Sequence, residues 1–174
     1  RDLPHGKVRV VGTNTLRVAE NSRDFLRRAR RALGHPIEIV TGEEEARLIY
    51  LGVARSLAFD NQRRLVMDIG GGSTECILAL KAEVPAVMSL DLGVVRLLER
   101  VFRQDPPTAQ EIHMAEAYID QELVKVSKAF GPLPRLPLVG TAGTVTTLAA
   151  MAQGLPRYES ARVHNYELTL SIIK

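Results

Sequence analysis

Apolar and polar positions divide the 174 residues into short strands and amphipathic helices. Lys7 to Gly12 (KVRVVG) is short, β-branched and bounded by glycines, which is a strand pattern. Asn21 stands as a cap before a helix to about Leu33, whose Phe25, Leu26, Ala29, Ala32 and Leu33 share one face. Gly34 and Pro36 stop that helix, and Ile37 to Val40 reads as a second strand. Thr41-Gly42-Glu43-Glu44 has the spacing of a capping box, with Thr41 as N-cap and Glu44 at N3. It opens a helix to about Leu57 that is expected to bury Ala46, Ile49, Tyr50 and Val53.

Leu65 to Ile69 is an apolar strand interrupted only by Asp68 and followed by Gly70-Gly71-Gly72-Ser73-Thr74. Two further strands, Glu75 to Leu80 and Val84 to Leu90, suit an antiparallel meander. Helices are expected over about Gly93 to Phe102 and Thr108 to Ala129. The second has a core stripe of Ile112, Ala115, Ile119, Leu123 and Val126. A Pro-rich turn, 132 to 137, leads into the strand Leu138-Val139, the loop Gly140 to Thr144 and a helix to about Gln153. A new helix begins after Thr169. The fold class is mixed α/β, with glycine-rich turns after strands and no internal repeat. The sharpest boundary falls between Thr41 and Leu65.

The strongest chemical signal is Asp68-Ile69-Gly70-Gly71-Gly72-Ser73-Thr74-Glu75. Glycines let a backbone turn tightly and approach a ligand without Cβ interference. Successive N–H groups in such a turn form an anion-binding nest, to which the Ser73 and Thr74 hydroxyls can add donors. Acids on both sides, Asp68 and Glu75, suit a hydrated Mg²⁺ shared with phosphate oxygens. The plainer alternative is a glycine hairpin whose Asp caps its own turn. A Walker loop needs a Lys and a Rossmann loop opens a helix, so neither applies.

DIGGGSTE resembles the second phosphate motif of the actin/Hsp70/sugar-kinase superfamily, in the form used by the exopolyphosphatase/guanosine pentaphosphate phosphatase (Ppx/GppA) family. VVGTNTLRVAEN (Val10 to Asn21), IEIVTGEEEARLIYLGV (Ile37 to Val53) and GTAGTVTTLAAM (Gly140 to Met151) resemble that family in the same order. The resemblance implies a ribonuclease-H-like, actin-type α/β fold with one complete lobe and part of another. Residues 1–41 would be the latter part of the first lobe, 42–64 a connecting helix and loop, and 65–174 the second lobe. No segment resembles the family's first phosphate loop. Both ends read as cut, so the chain is expected to be a fragment with little activity of its own, and its open sheet edges to favour a homodimer or other self-association.

The resemblance also assigns roles. Glu45, directly before Ala46-Arg47, matches the presumed catalytic carboxylate, whereas Glu43 and Glu44 read as first-turn acids that complement the helix dipole. Arg17 is implied as a substrate contact, with Thr13 and Asn14 beside it. Asn14 departs from the Ser that the family often carries there. Gly143 and Thr144 would line the cleft near phosphate, with close helix–sheet packing as the alternative. The implied chemistry is Mg²⁺-dependent release of orthophosphate from inorganic polyphosphate. Guanosine pentaphosphate is the close alternative substrate. A phosphate or alarmone sensor without turnover and a sugar kinase are more distant readings. Glu45 counts against the sensor, and a Glu-Ala-Arg helix ahead of DIGGGST counts against the kinase.

Composition changes this picture little. With 45% hydrophobic and 25% charged residues the chain has the make-up of a globular domain. Cys76 is the one cysteine, which excludes a disulfide framework and a Cys-based zinc site and makes a reducing cytoplasm the expected compartment. His5, His35, His113 and His164 lack ligand spacing. No apolar run is long enough for a membrane span. The formal charge of +3 hides a local surplus in Arg23, Arg27, Arg28, Arg30 and Arg31, a face that can attract a polyanion or simply be solvated. Only 5% of residues are aromatic, too few for nucleic-acid stacking platforms, and no nucleic-acid partner is expected.

Overall fold

The computed structural model describes residues 4–57, 62–80, 83–133 and 135–173. Two sheets organise it. The first pairs β1 (Val10–Gly12) in parallel with β2 (Ile37–Ile39), joined through α1 (Asn14–Val18) and α2 (Ser22–Leu33). Helix α3 (Gly42–Ser56) then leads to a second sheet built from β3 (Arg63–Ile69), β4 (Thr74–Leu80), β5 (Glu83–Leu90) and β6 (Leu138–Thr141), in the order β5-β4-β3-β6. β3 to β5 form the expected antiparallel meander, and β6 lies parallel to β3. Between them come α4 (Val94–Val101) and α5 (Ala109–Phe130), and after them α6 (Ala142–Ala152), α7 (Ser160–Val163) and α8 (Leu170–Ile173).

β4 lies inside the sheet, and its first six residues are buried. Alternation sends Ile77 and Ala79 to one face, where Ala46, Tyr50 and Val53 of α3 pack with Val66. Cys76 and Leu78 point to the other face, against Leu90, Leu92 and Val126 and Phe130 of α5. Burial pushes the Cys76 thiol up to about 12, so it is an inert core residue. Both faces are covered, which is why the apolar residues of this strand, Cys76 to Leu80, run without alternation.

Thr41 caps α3 as expected, its Oγ1 accepting from the Glu44 N–H at 3.2 Å. The reciprocal capping box occurs at Thr108 and Glu111 instead, at the start of α5. Glu111 accepts the Thr108 and Arg103 N–H groups and the Thr108 hydroxyl, which holds its carboxyl below the usual range. Two expectations shift and one gap is filled. The first strand begins only at Val10, after a 3₁₀ turn at His5–Lys7, because β2 offers three pairing residues. Thr13 to Arg17, to which the sequence pattern assigns no element, is largely the short helix α1. Ile112 is exposed rather than core, because α5, about 33 Å long, overhangs strands of about 25 Å. Residues 58–61 of the connecting loop, residue 134 of the Pro-rich turn and the two chain ends fall outside the described residues. Among the described residues no helix is long and apolar enough to cross a membrane.

Candidate active site

The glycine turn between β3 and β4 is shaped by α4. Val94 N–H donates to the Gly70 carbonyl at 3.0 Å, and the Val95 and Arg96 N–H groups donate to Gly71 at 2.9 and 3.2 Å. The Arg96 Nε donates to the Gly72 carbonyl at 3.1 Å, while its Nη1 pairs with Asp91. Three successive carbonyls therefore face α4. In a trans peptide the following N–H points the opposite way. The N–H groups of Gly71, Gly72 and Ser73 are thus turned together away from α4, and they enter no backbone hydrogen bond among the described residues. That is the concave donor set an oxyanion requires.

One close approach demands glycine here: a Cβ on Gly93 would stand 2.3 Å from the Gly71 carbonyl oxygen. A Cβ on Gly72 would stand 2.3 Å from Asn14 Oδ1, the end of a side chain that could turn aside. α1 therefore brings Asn14 against the turn, and Thr13 serves as its N-cap without a side-chain cap bond. The hydroxyls behave differently from expectation. Thr74 is buried and donates to the Leu92 carbonyl at 2.6 Å, and buried Ser73 hydrogen-bonds to Glu75. Their side chains hold the turn from within, so the donors left for a phosphate are backbone ones.

Glu45 lies one turn into α3, 16% exposed, and its Oε2 accepts from Arg17 Nη1 at 2.9 Å. The same nitrogen donates to the Val40 carbonyl at 2.8 Å. The residue assigned to the substrate thus spends this edge of its guanidinium on orienting the carboxylate. The two acids flanking the turn also part company. Asp68 is half-buried at the end of β3 and accepts the Thr141 hydroxyl at 2.6 Å. Glu75, its cross-strand partner, is only 1% exposed and accepts Ser89 Oγ at 2.8 Å. Burial pushes the Glu75 carboxyl up, the Ser89 and Ser73 hydroxyls pull it back, and the charges of Glu45 and Asp68 raise it further. Three carboxylates thus share one field beside the turn.

Gly143 is exposed with open space around it, and Thr144 donates to the Ile69 carbonyl at 2.9 Å, tying α6 to the end of β3. This is the packing alternative for Thr144. Sequence reasoning passed over Ser89, Gly93 and Arg96, and of these only Gly93, a glycine ahead of a helix, left a local mark; Thr141 lies in the expected Gly140 to Thr144 loop, but nothing local marks its tie to Asp68. A cavity of about 1050 Å³ between α3 and the β6–α6 region meets the site at Asp68 and Thr141 but does not include the glycine turn.

Among the described residues no three Asp, Glu, His or Cys side chains converge as a metal cage. Mg²⁺ does not need one, since it keeps most of its waters and takes one or two carboxylates plus phosphate oxygens. Asp68, exposed on one side and held by Thr141, fits that role. Glu75, with hydroxyls on its carboxylate and almost no exposure, does not fit as a direct ligand.

The model of the family described as Ppx/GppA phosphatase matches residues 1–173. Guanosine-5'-triphosphate,3'-diphosphate pyrophosphatases of Aliivibrio fischeri and Vibrio vulnificus are 42% and 41% identical over 157 residues, 89% of this chain. The chain spans 31% of the length of those curated relatives. An Aquifex aeolicus Ppx/GppA structure superposes with a TM-score of 0.79 at 39% identity, over 95% of this chain and 52% of that one. An exopolyphosphatase from Cytophaga hutchinsonii gives 0.79 at 30% identity, over 88% and 50%. The expected ribonuclease-H-like, actin-type α/β fold stands.

Proposed function

The chain belongs to the Ppx/GppA phosphatase family, and from that premise we propose that its site hydrolyses the terminal bond of a phosphoanhydride chain. One observation carries the reading: an arginine-held carboxylate, Glu45, acts with Asp68 on the same neighbour, Glu75, beside a turn whose three glycine carbonyls are all taken up by α4. The N–H groups of Gly71, Gly72 and Ser73 bind oxygens of the terminal phosphate, with Asn14 closing the opposite side. Glu45 takes a proton from water as the water oxygen attacks phosphorus and the bridging P–O bond breaks. Orthophosphate leaves, and the remaining chain departs one phosphate shorter. Asp68 would hold Mg²⁺, which when bound neutralises phosphate-oxygen charge. Residues 1–41 and 65–174 supply opposite walls, and α3 carries the base between them.

Inorganic polyphosphate is the substrate we assign. Guanosine pentaphosphate is the second reading, favoured by the names of the relatives at 42% and 41% identity. Phosphate release on both substrates, side by side, separates them. The test of the site uses a protein carrying this chain at the full length of its relatives. There Glu45→Gln lowers turnover by at least ~100-fold, about 2.7 kcal/mol, with KM little changed. Near-normal turnover in that variant overturns the role of Glu45.

A further inference from the structure

The site leaves unused the most charged segment of the molecule. α2 carries Arg23, Arg27, Arg28, Arg30 and Arg31 against one acid, Asp24, in a chain whose formal net charge is +3. At ~100° per residue Arg23, Arg27, Arg30 and Arg31 fall within an arc of about 100°. All five arginines are exposed. Elsewhere the arginines of the site and its surroundings are neutralised: Arg9 by Glu38 and Glu44, Arg17 by Glu45, Arg96 by Asp91. On α2 only Arg27 has an acid, Asp24, and among the described residues Arg23, Arg28, Arg30 and Arg31 meet none. Arg30 and Arg31 donate instead to the carbonyls of Ile37 and Arg27. Like charges at i,i+4, as in Arg23–Arg27 and Arg27–Arg31, oppose the helix. The surplus thus works against the element that bears it.

Position and chemistry say what that surplus fits. α2 starts four residues after α1, packs against it, and runs for about 18 Å. α1 bears Asn14, at the glycine turn, and Arg17, at Glu45. Guanidinium groups pair bidentately with phosphate oxygens. The one aromatic residue of α2, Phe25, lies on the opposite, apolar face, so the basic face offers no stacking platform for bases. We propose that the arginine face of α2 is a docking track for the distal phosphates of an inorganic polyphosphate chain whose end occupies the glycine turn. This rests on the reading of the site given above and names its substrate: a long, base-free polyanion.

The test compares the 174-residue chain with its Arg23→Glu/Arg27→Glu/Arg31→Glu variant, using polyphosphate of roughly 100 phosphates and tripolyphosphate as probes. The variant should bind the long chain at least about tenfold more weakly, with a log K against log salt slope shallower by about two or three. Tripolyphosphate binding should not change. A control of equal charge change, Arg103→Glu/Arg135→Glu/Arg157→Glu, should keep most of the long-chain affinity, and an Arg→Gln version of the α2 variant guards against misfolding. The proposal is overturned if the parent does not bind long polyphosphate, if the variant binds it as the parent does, or if the control loses as much. It is equally overturned if single-stranded DNA of matched charge binds as tightly and responds to the α2 variant alike, which would make the face a nucleic-acid surface. In the full-length protein the α2 variant should raise KM for long polyphosphate and leave kcat on tripolyphosphate alone. Absence of any phosphoanhydride hydrolysis would defeat the functional reading, while the binding comparison would still decide α2.

Discussion

β1 pairs with one neighbour over three residues, whereas β4 pairs along its length with both β3 and β5. The regions they organise treat side chains in opposite ways. Around β4, helices cover both faces and Val66, Cys76, Ile77 and Ala79 have no exposure. Around β1 and β2, α2 buries no residue, and Phe25 and Leu33 remain 53% and 50% exposed. The glycine turn proposed to bind phosphate belongs to the packed region. The carboxylate expected to activate water is steadied by Arg17 from the sparse one, over a contact 28 residues apart in sequence. A preorganised donor set needs a rigid scaffold, whereas a part that must close over substrate gains from being lightly held.

Breaking the packed side should cost most. Ile77→Ala removes a fully buried side chain from the cluster beneath α3, and unfolding by urea should show a loss of about 3 kcal/mol. A loss under about 1 kcal/mol would mean the two regions are equally loose.

An intermediate effect should come from Glu75, the buried acid between them. Its folded carboxyl is raised, so its contribution to stability is full below the unfolded carboxylate value and is lost as pH rises through the raised one. Glu75→Gln carries no such proton. The melting temperature of the variant relative to the parent should therefore climb as pH rises above the ordinary carboxylate range. A difference independent of pH would show that Glu75 ionises freely.

The smallest effect is expected on the sparse side. Leu33→Ala should change stability by at most about 0.5 kcal/mol by the same urea measurement. A loss near that of Ile77→Ala would place a hidden core under α2.

What could be read from the sequence follows the range of the interaction. The Thr41 cap, the apolar run of β3 and the Asp68–Glu75 turn are local patterns, written within a few neighbouring residues, and they appear where expected. The Arg17–Glu45 pair, the Arg96 bond to Gly72 and the Ser89 bond to Glu75 join residues 28, 24 and 14 apart. Nothing in the local spacing marks them, because long-range contacts depend on how the sheets stack. Thr74 shows the cost of that. Its type and place suggested a phosphate donor, but the pleat turns it inward to the Leu92 carbonyl.

Because the donors proposed to meet phosphate are main-chain groups, exchanging the Ser73 side chain deletes none of them. Their direction is set from α4, through bonds that leave no room for a methyl at Gly93. The genetic weak point of the proposed phosphate site is therefore displaced from the loop itself. Exchange of the Ser73 hydroxyl costs an internal tie but no backbone donor, whereas one added carbon at Gly93, where the chain enters another helix, would push against the peptides themselves.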